Sequence, residues 1–248
     1  MLPVLNVGPL AIQLPGLILL AGIWIGLNRI EAAGRQRSMN VERLSWLVFY
    51  ALLAGIFGAR LGYVAQNLAA FIPRPLDVFS ISAQMLDAPT GMAAMLLTGF
   101  IYGQRKRLDF WQVMDALTPG LAVILMALAL MNLSSGNGFG VAARLPWSIY
   151  LFDEWRHPTQ IYDFIFAFAI WRVIESNPRD AILPDGFRFL TFVVLSAAAR
   201  ITVDAFRSEN VLSGFGGVRV TQMIALLILL GSLVVMRRRR SSYKEVEQ

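Results

Sequence analysis

Long apolar stretches dominate this chain, and short polar connections separate them. A membrane-spanning helix needs about 20 mostly apolar residues. Seven stretches have that character, over residues 10–28, 44–65, 88–104, 109–132, 160–175, 186–206 and 218–236. The pattern predicts an all-α integral membrane protein with seven transmembrane helices, of which the third and fifth are short.

The composition agrees with a membrane protein. Charged residues make up 15% of the 248 residues, against roughly 25% in soluble domains. The chain has no cysteine and one histidine, which excludes thiolate chemistry and argues against a metal site. The first apolar stretch lacks a basic leader and a clear small-residue cleavage site, so we interpret it as a retained span.

The basic residues indicate the orientation. Arginines concentrate after the first, third and fifth apolar stretches and again in Arg237–Arg240. Positive residues favour the cytoplasmic side, so the amino terminus is expected outside and the carboxyl terminus in the cytoplasm. We therefore attribute the net charge of +6 to membrane orientation and not to nucleic acid. The predicted organisation is one membrane domain, 1–236, and a basic tail, 237–248, which anchors the topology or contacts anionic lipid.

Two outward connections are long. Residues 66–87 are interpreted as an arm on the outer surface, and residues 133–158 as a Gly/Ser-rich outward loop. Glycines let backbone N–H groups approach a ligand, which makes Gly136 and Gly140 candidate substrate contacts. A plain flexible loop explains the same composition.

A polar cluster leads into the fifth apolar stretch, at residues 156–163, and includes the only histidine. Polar groups at membrane depth usually line a cavity or a ligand path. The candidate ligand contacts are Arg156, His157, Gln160 and Tyr162. The alternative is an ordinary helix N-terminus, with Pro158 in the first turn and Thr159 and Gln160 bonded to free N–H groups.

The sixth apolar stretch carries Arg200, Asp204 and Arg207, whose spacing places them on one helical face. An isolated charge near the bilayer centre costs about 2.5–3.5 kcal/mol, so Arg200 is expected to pair with Asp204. The remaining guanidinium donors can hold a phosphate, which suggests a phospholipid headgroup. A structural salt bridge is the alternative. Arg60, beside Tyr63, has the same two interpretations, and Gly58 and Gly62 favour close helix packing there.

Taken in order, these motifs resemble the prolipoprotein diacylglyceryl transferases of bacterial inner membranes. The matching stretches are Gly8-Pro9-Leu10, Gly58–Val64, Phe110–Asp115, Leu145-Pro146-Trp147, Arg156–Asp163 and the Arg200–Asp204–Arg207 pattern. The resemblance implies a multi-pass enzyme of the bacterial cytoplasmic membrane. Such enzymes move a diacylglyceryl group from phosphatidylglycerol to the lipobox cysteine of a prolipoprotein signal segment. They need no metal or organic cofactor, and their partners are these substrates and membrane lipid.

The resemblance and the charged positions together give the candidate site. Catalytic roles are expected for Arg200, Asp204 and Asn132. Substrate contacts are expected from Arg60, Tyr63, Arg144, Arg156, His157, Gln160, Tyr162, Arg207, Gly136 and Gly140.

The sequence departs from the family pattern at several positions. The family's motif histidine aligns with Pro89, its key arginine with Ala129, its glutamate with Asn137 and a first-span tyrosine with Pro15. Pro15 and Pro89 are expected to distort their helices.

Two functions are therefore open. One is a divergent transferase whose phosphate clamp is rebuilt from Arg200, Arg207, Arg60 and Arg144, with Arg144 reaching the space beside Ala129. The other is a catalytically inactive relative that binds phospholipid or lipoprotein signal segments. A small transporter or channel is disfavoured, because the sequence shows no internal repeat and no ring of like charges.

Overall fold

The computed structural model describes residues 4–7, 10–73, 75–79, 85–176, 183–208 and 219–246. These residues form eight α-helices and two small antiparallel sheets. The helices are α1 Leu14–Gln36, α2 Val41–Gln66, α3 Leu68–Phe71, α4 Ala88–Arg105, α5 Phe110–Ser135, α6 Thr159–Glu175, α7 Phe187–Asp204 and α8 Val220–Val246. The strands are β1 Val4–Val7, β2 Leu10–Gln13, β3 Ile149–Leu151 and β4 Glu154–Arg156, and Pro75–Phe79 is a 3₁₀ helix.

The predominantly helical fold is confirmed. Every helix except the short α3 lies on one of the seven apolar stretches. Among the described residues, four helices are long and apolar enough to cross a membrane: α1, α2, α5 and α8 as far as Ser241. The others are shorter, with 18 residues in α4, 17 in α6 and 18 in α7.

Several helix ends differ from the prediction. Residues 10–13 pair with β1 as strand β2, so the first helix begins only at Leu14. Pro15 and Pro89 occupy the first turns of α1 and α4. A missing N–H group is tolerated in a first turn, so neither proline is expected to bend its helix. The proline inside a helix is Pro119 in α5. Helix α8 continues to Val246, so the basic segment after residue 236 extends the helix.

The chain forms two compact units, one of residues 34–113 and one of residues 1–33 with 114–248. In the 34–113 unit, α2 packs directly on α4. A Cβ atom on Gly62 would lie 2.6 Å from Thr90, and one on Gly58 would collide with the side chain of Ala94. The close packing predicted from these two glycines is confirmed, because no larger residue fits at this contact.

The larger unit has its core between α5, α6 and α7. Ala122, Ile170, Ile174 and Phe192 are buried together there. Asp115 of α5 is 1% exposed, and its carboxylate accepts hydrogen bonds of 2.8 Å from the backbone N–H groups of Gly186 and Phe189. Because these N–H groups lie at the start of α7, Asp115 caps that helix from a neighbouring one.

Candidate functional site

An arginine–carboxylate cluster lies at the end of α7. Asp204 is the last residue of the helix and is 1% exposed. The Nε atom of Arg200 lies 2.9 Å from one oxygen of its carboxylate, and the Nε of Arg207 lies 3.3 Å from the other. The predicted pairing of Arg200 with Asp204 is present. Arg207 reaches Asp204 from the turn after the helix, so the three residues do not share one helical face.

Two further residues complete the cluster. An Nη atom of Arg207 lies 2.6 Å from the carboxylate of Asp163 on α6. Arg219, just before α8, donates a hydrogen bond to the backbone carbonyl of Asp204. Neither residue was among the site residues predicted from the sequence. Asp163 had a usable signal, an ionisable residue one turn into an apolar helix, whereas no sequence pattern links Arg219 to Asp204.

The five side chains of this cluster differ in how far their charges are neutralised. The cluster contains three guanidinium groups and two carboxylates, so it has one positive charge in excess. The Arg207 side chain is 11% exposed and is paired with both carboxylates. The Arg200 side chain is 47% exposed, and Asp204 holds it only through Nε. Its two Nη atoms have no hydrogen bond with any residue that the structure describes, so they remain available to an anion.

The glycine loop, residues 136–140, follows α5 and lies against Arg207. Gly136 and Gly138 have φ angles of 82° and 66°, which favour glycine. A Cβ atom on Gly138 would lie 2.8 Å from Nη1 of Arg207 and 3.9 Å from the side-chain nitrogen of Asn132. The structure thus brings Asn132, the glycine loop and Arg207 together, as the candidate site requires.

The first two residues of α6 fix the glycine loop. Thr159 donates a hydrogen bond from its hydroxyl to the carbonyl of Gly138, and Gln160 donates from Nε2 to the carbonyl of Asn137 at 2.8 Å. Pro158 is the residue before the helix and not part of its first turn. A helix does begin here, but Pro158 does not lie in its first turn, and the side chains of Thr159 and Gln160 bond to the loop and not to free N–H groups.

His157 connects the loop to the end of α7. Its backbone N–H donates to Val141, and its carbonyl accepts from Gly140, both at 3.1 Å. A Cβ atom on Gly140 would lie 2.6 Å from the His157 carbonyl oxygen and 2.8 Å from that of Phe206. Glycine is therefore needed where these three segments meet.

The imidazole of His157 belongs to a polar group with Tyr162 and Trp147. Its Nδ1 lies 3.2 Å from the hydroxyl of Tyr162, and the indole Nε1 of Trp147 donates to the same hydroxyl at 2.9 Å. The ring of His157 also lies 5.0 Å from that of Phe206. This arrangement holds the imidazole beside the residue that precedes Arg207.

Two predicted arginines lie apart from the cluster. Arg144 is exposed and has no hydrogen bond or ion pair with a described residue, and Ala129 is buried. That Arg144 reaches the space beside Ala129 stays a prediction. Arg156 pairs with Glu154 at 2.6 Å and lies over the ring of Phe139 at 4.9 Å. Its guanidinium is therefore engaged within the β3–β4 hairpin and its surroundings.

Arg60 and Tyr63 belong to the 34–113 unit. The buried guanidinium of Arg60 donates to three backbone carbonyls, of Asp77 at 2.5 Å, Val78 at 2.8 Å and Met85 at 3.1 Å. It also lies 5.9 Å from the ring of Tyr63. These bonds hold segments after α3 against α2, and they favour the structural interpretation of Arg60.

The fold and the site together define a class of protein. The chain is a helical membrane-type protein that holds one half-exposed guanidinium over a buried carboxylate, beside a glycine loop. The sequence profile of the prolipoprotein diacylglyceryl transferases matches residues 3–238. The chain belongs to this family, which confirms the resemblance found in the sequence.

Individual relatives agree. Each of the following is named phosphatidylglycerol–prolipoprotein diacylglyceryl transferase. The protein of Bordetella parapertussis is 32% identical over 193 residues, which cover 71% of this chain and 72% of the relative. That of Azotobacter vinelandii is 29% identical over 245 residues, covering 92% and 90%. That of Trichormus variabilis is 25% identical over 243 residues, covering 90% and 84%.

Proposed function

We propose that this protein transfers the diacylglyceryl group of phosphatidylglycerol to the lipobox cysteine of a prolipoprotein signal segment. The cysteine sulfur forms a bond to the terminal glyceryl carbon of the diacylglyceryl group. The bond from that carbon to the phosphate oxygen breaks, and its electron pair leaves on the phosphate as glycerol phosphate. The thiol proton passes to a base. The protein must therefore stabilise an anionic leaving group and accept a proton.

Arg200 carries this proposal. Its guanidinium is half exposed, and within the part of the chain that the structure describes only Nε is engaged, with the buried Asp204 at 2.9 Å. The two Nη donors form the planar fork that matches two phosphate oxygens. We assign the phosphate of the lipid to this fork.

The other members of the cluster act as positioning residues in this proposal. Asp204 is 1% exposed, so we give it a positioning role in place of the catalytic role expected from the sequence. It orients Arg200 and, with Asp163, holds Arg207 against the glycine loop. Asn132 and the loop then form the wall of the site beside Arg207.

We assign the proton transfer to His157. Imidazole is the side chain that most often exchanges a proton near neutral pH. If Nδ1 carries the hydrogen that is shared with the Tyr162 hydroxyl at 3.2 Å, then Nε2 is an acceptor. His157→Gln is expected to retain lipid binding and lose transfer, and equal transfer by the variant would remove His157 from this role.

The membrane arrangement is also a proposal. All seven long helices cross the bacterial cytoplasmic membrane, with the amino terminus outside and the carboxyl terminus in the cytoplasm. The alternation of arginine-rich connections supports this orientation. It places the glycine loop and the β3–β4 hairpin on the outer side, within the Gly/Ser-rich outward loop. Residues 1–236 then form the membrane domain, and residues 237–248 lie on the cytoplasmic side.

The test uses the purified protein in nanodiscs with phosphatidylglycerol and a lipobox peptide. Glycerol phosphate release and the mass shift of the peptide measure transfer. Arg200→Ala should lower the rate by about 10²–10³-fold, the cost of losing one donor to a developing anion. Arg172→Ala is the matched control, because it removes an exposed arginine from α6 without touching the cluster. Full activity of Arg200→Ala would remove Arg200 from the site.

The same experiment decides between the two open functions. Product from the wild-type protein, lost in Arg200→Ala, supports the transferase. The alternative is a catalytically inactive relative. The buried Ala129 replaces the motif arginine of the family, and this replacement favours the inactive relative. Absence of product together with phosphatidylglycerol binding that depends on Arg200 would support this second function.

A further inference from the structure

A separate cavity of about 410 Å³ lies in the 34–113 unit, between the beginning of α2 and the end of α4. Its size falls within the range of small-molecule sites, roughly 300–1,000 Å³. The side chains that matter for its chemistry are Glu42, Arg43, Trp46, Tyr50, Tyr102 and Lys106. None of these belongs to the arginine–carboxylate cluster.

Aromatic rings form one wall of this cavity. Trp46 and Tyr50 stack with their ring centres 5.5 Å apart and their planes at 24°. Tyr50 in turn lies 5.6 Å from Tyr102, so the rings of α2 meet a ring of α4. Trp46 and Tyr50 are 44% and 42% exposed. Amphipathic rings with such exposure are typical of the boundary between acyl chains and lipid headgroups.

The charged residues of the cavity leave an excess of positive charge. The lining contains two basic side chains, Arg43 and Lys106, and one carboxylate, Glu42. Neither basic side chain forms an ion pair with a described residue, and Lys106 lies 5.9 Å from the ring of Tyr102. At the N-terminus of α2, the side chain of Asn40 accepts the backbone N–H of Arg43 at 2.9 Å, so that N–H group is not available to an anion. An anion that enters the cavity therefore meets two available cations.

We propose that this cavity binds the phosphate-bearing headgroup of an anionic membrane lipid. The phosphate lies between Arg43 and Lys106, the aromatic hydroxyls contact the glycerol region, and the acyl chains run along the exposed rings. In the proposed topology this lipid belongs to the cytoplasmic leaflet, whereas the donor lipid lies at Arg200. The site requires no transferase chemistry, so its test is independent of the proposed function.

The experiment is photo-crosslinking in phosphatidylcholine nanodiscs that contain the full-length protein. The probe is phosphatidic acid with a photoreactive group near its headgroup, and mass mapping identifies the labelled peptides. Label within residues 40–50 and 102–106 is expected. Label confined to residues around Arg200 would overturn the proposal.

The matched variants separate the cavity from general surface attraction. A direct hydrogen bond between a charged side chain and a phosphate contributes about tenfold or more to affinity. Arg43→Gln with Lys106→Gln should therefore weaken competition by unlabelled phosphatidic acid by about 100-fold at these peptides, whereas general attraction to the surface alone predicts only about 25-fold for any two basic residues. Arg105→Gln with Arg107→Gln removes the same charge from the same end of α4 without altering the cavity lining. Equal loss in both double variants would assign the binding to the surface and overturn the proposal.

Soluble competitors identify the source of the phosphate. Glycerol phosphate and inorganic phosphate are added to the nanodiscs in place of the lipid competitor. Failure of both to displace the probe at concentrations where phosphatidic acid does so supports a lipid occupant. Displacement as efficient as that by the lipid would assign the cavity to a soluble phosphate compound and refute the lipid.

Discussion

Replacement of Asp204 by asparagine tests whether the buried carboxylate organises the cluster. The change keeps the shape of the side chain and removes its charge. Arg207 is only 11% exposed and would keep a single carboxylate partner, Asp163 at 2.6 Å. Arg200 would lose the only described group that holds it, Asp204 at 2.9 Å. We therefore expect Asp204→Asn to lower both stability and transfer.

The magnitude follows from the exposure of each pair. Removing one partner of a buried ion pair costs about 3–5 kcal/mol, and the retained Asp163 places the Arg207 pair near the lower limit, about 3 kcal/mol. Arg200 is 47% exposed, so solvent screening limits its pair to at most about 1 kcal/mol. The total is about 3–4 kcal/mol, which corresponds to a fall in Tm of about 6–16 °C for a chain of this size.

Thermal unfolding of the purified protein in detergent, followed by tryptophan fluorescence at a fixed scan rate, measures this fall. Asp153→Asn is the matched control, since Asp153 is exposed and has no ion pair with a described residue. Its φ of 61° also suits asparagine. Arg200→Gln should move Tm by only a few degrees. Equal Tm values for Asp204→Asn and Asp153→Asn would refute the idea that the cluster stabilises the fold.

Three other predictions concern the loop, the arm and a helix end. Gly140→Ala should destabilise the protein by about 3 kcal/mol in the same unfolding assay, because the new methyl group meets two backbone carbonyls. Gly99→Ala, whose new Cβ atom would have its nearest neighbour at 3.8 Å, should be neutral or stabilising. A similar loss of stability in the Gly140 and Gly99 variants would contradict the predicted clash at Gly140. Arg60→Gln should speed amide hydrogen exchange at residues 77–79 by the equivalent of about 1–3 kcal/mol. Unchanged exchange would show that the hydrogen bonds of Arg60 do not hold this segment in place. Finally, hydrogen bonds from Thr90 and Gln66 hold the pKa of Asp87 below its ordinary value of 3.8. Asp87→Ala should therefore lower Tm at pH 7, with a difference from wild type that shrinks as pH falls through 3.8 towards the lower folded pKa; a constant difference would contradict this.

Helix positions could be predicted because membrane-type helices leave a strong local signal. Each of the seven apolar stretches overlaps one of the seven long helices, and α2, for example, begins and ends within three residues of the predicted limits. The short strands carried no such signal. Strand β2 is as apolar as the helix that follows it. The β3–β4 hairpin turns at Phe152 and Asp153, and Phe152 is not a residue that usually marks a tight turn.

The site could be predicted only where its residues are close in sequence. The pairing of Arg200 with Asp204 follows from a spacing of four residues. The pairing of Arg207 with Asp163 and the partners of Arg60 do not follow in this way. Asp163 lies 44 residues from Arg207, and the carbonyls that bind Arg60 lie 17, 18 and 25 residues away.

The sequence alone determined that this is a helical membrane-type protein of the diacylglyceryl transferase family, because apolar length and motif order are local properties of the chain. Only the tertiary structure showed which arginines are already engaged. Guanidinium groups of equal charge differ in their neighbours: Arg60 is bound to carbonyls, Arg207 to two carboxylates, and the outer donors of Arg200 have no hydrogen bond with a described residue. Pairing over long sequence separation sets that difference, and it is the physical basis for our proposal that the lipid phosphate binds at Arg200.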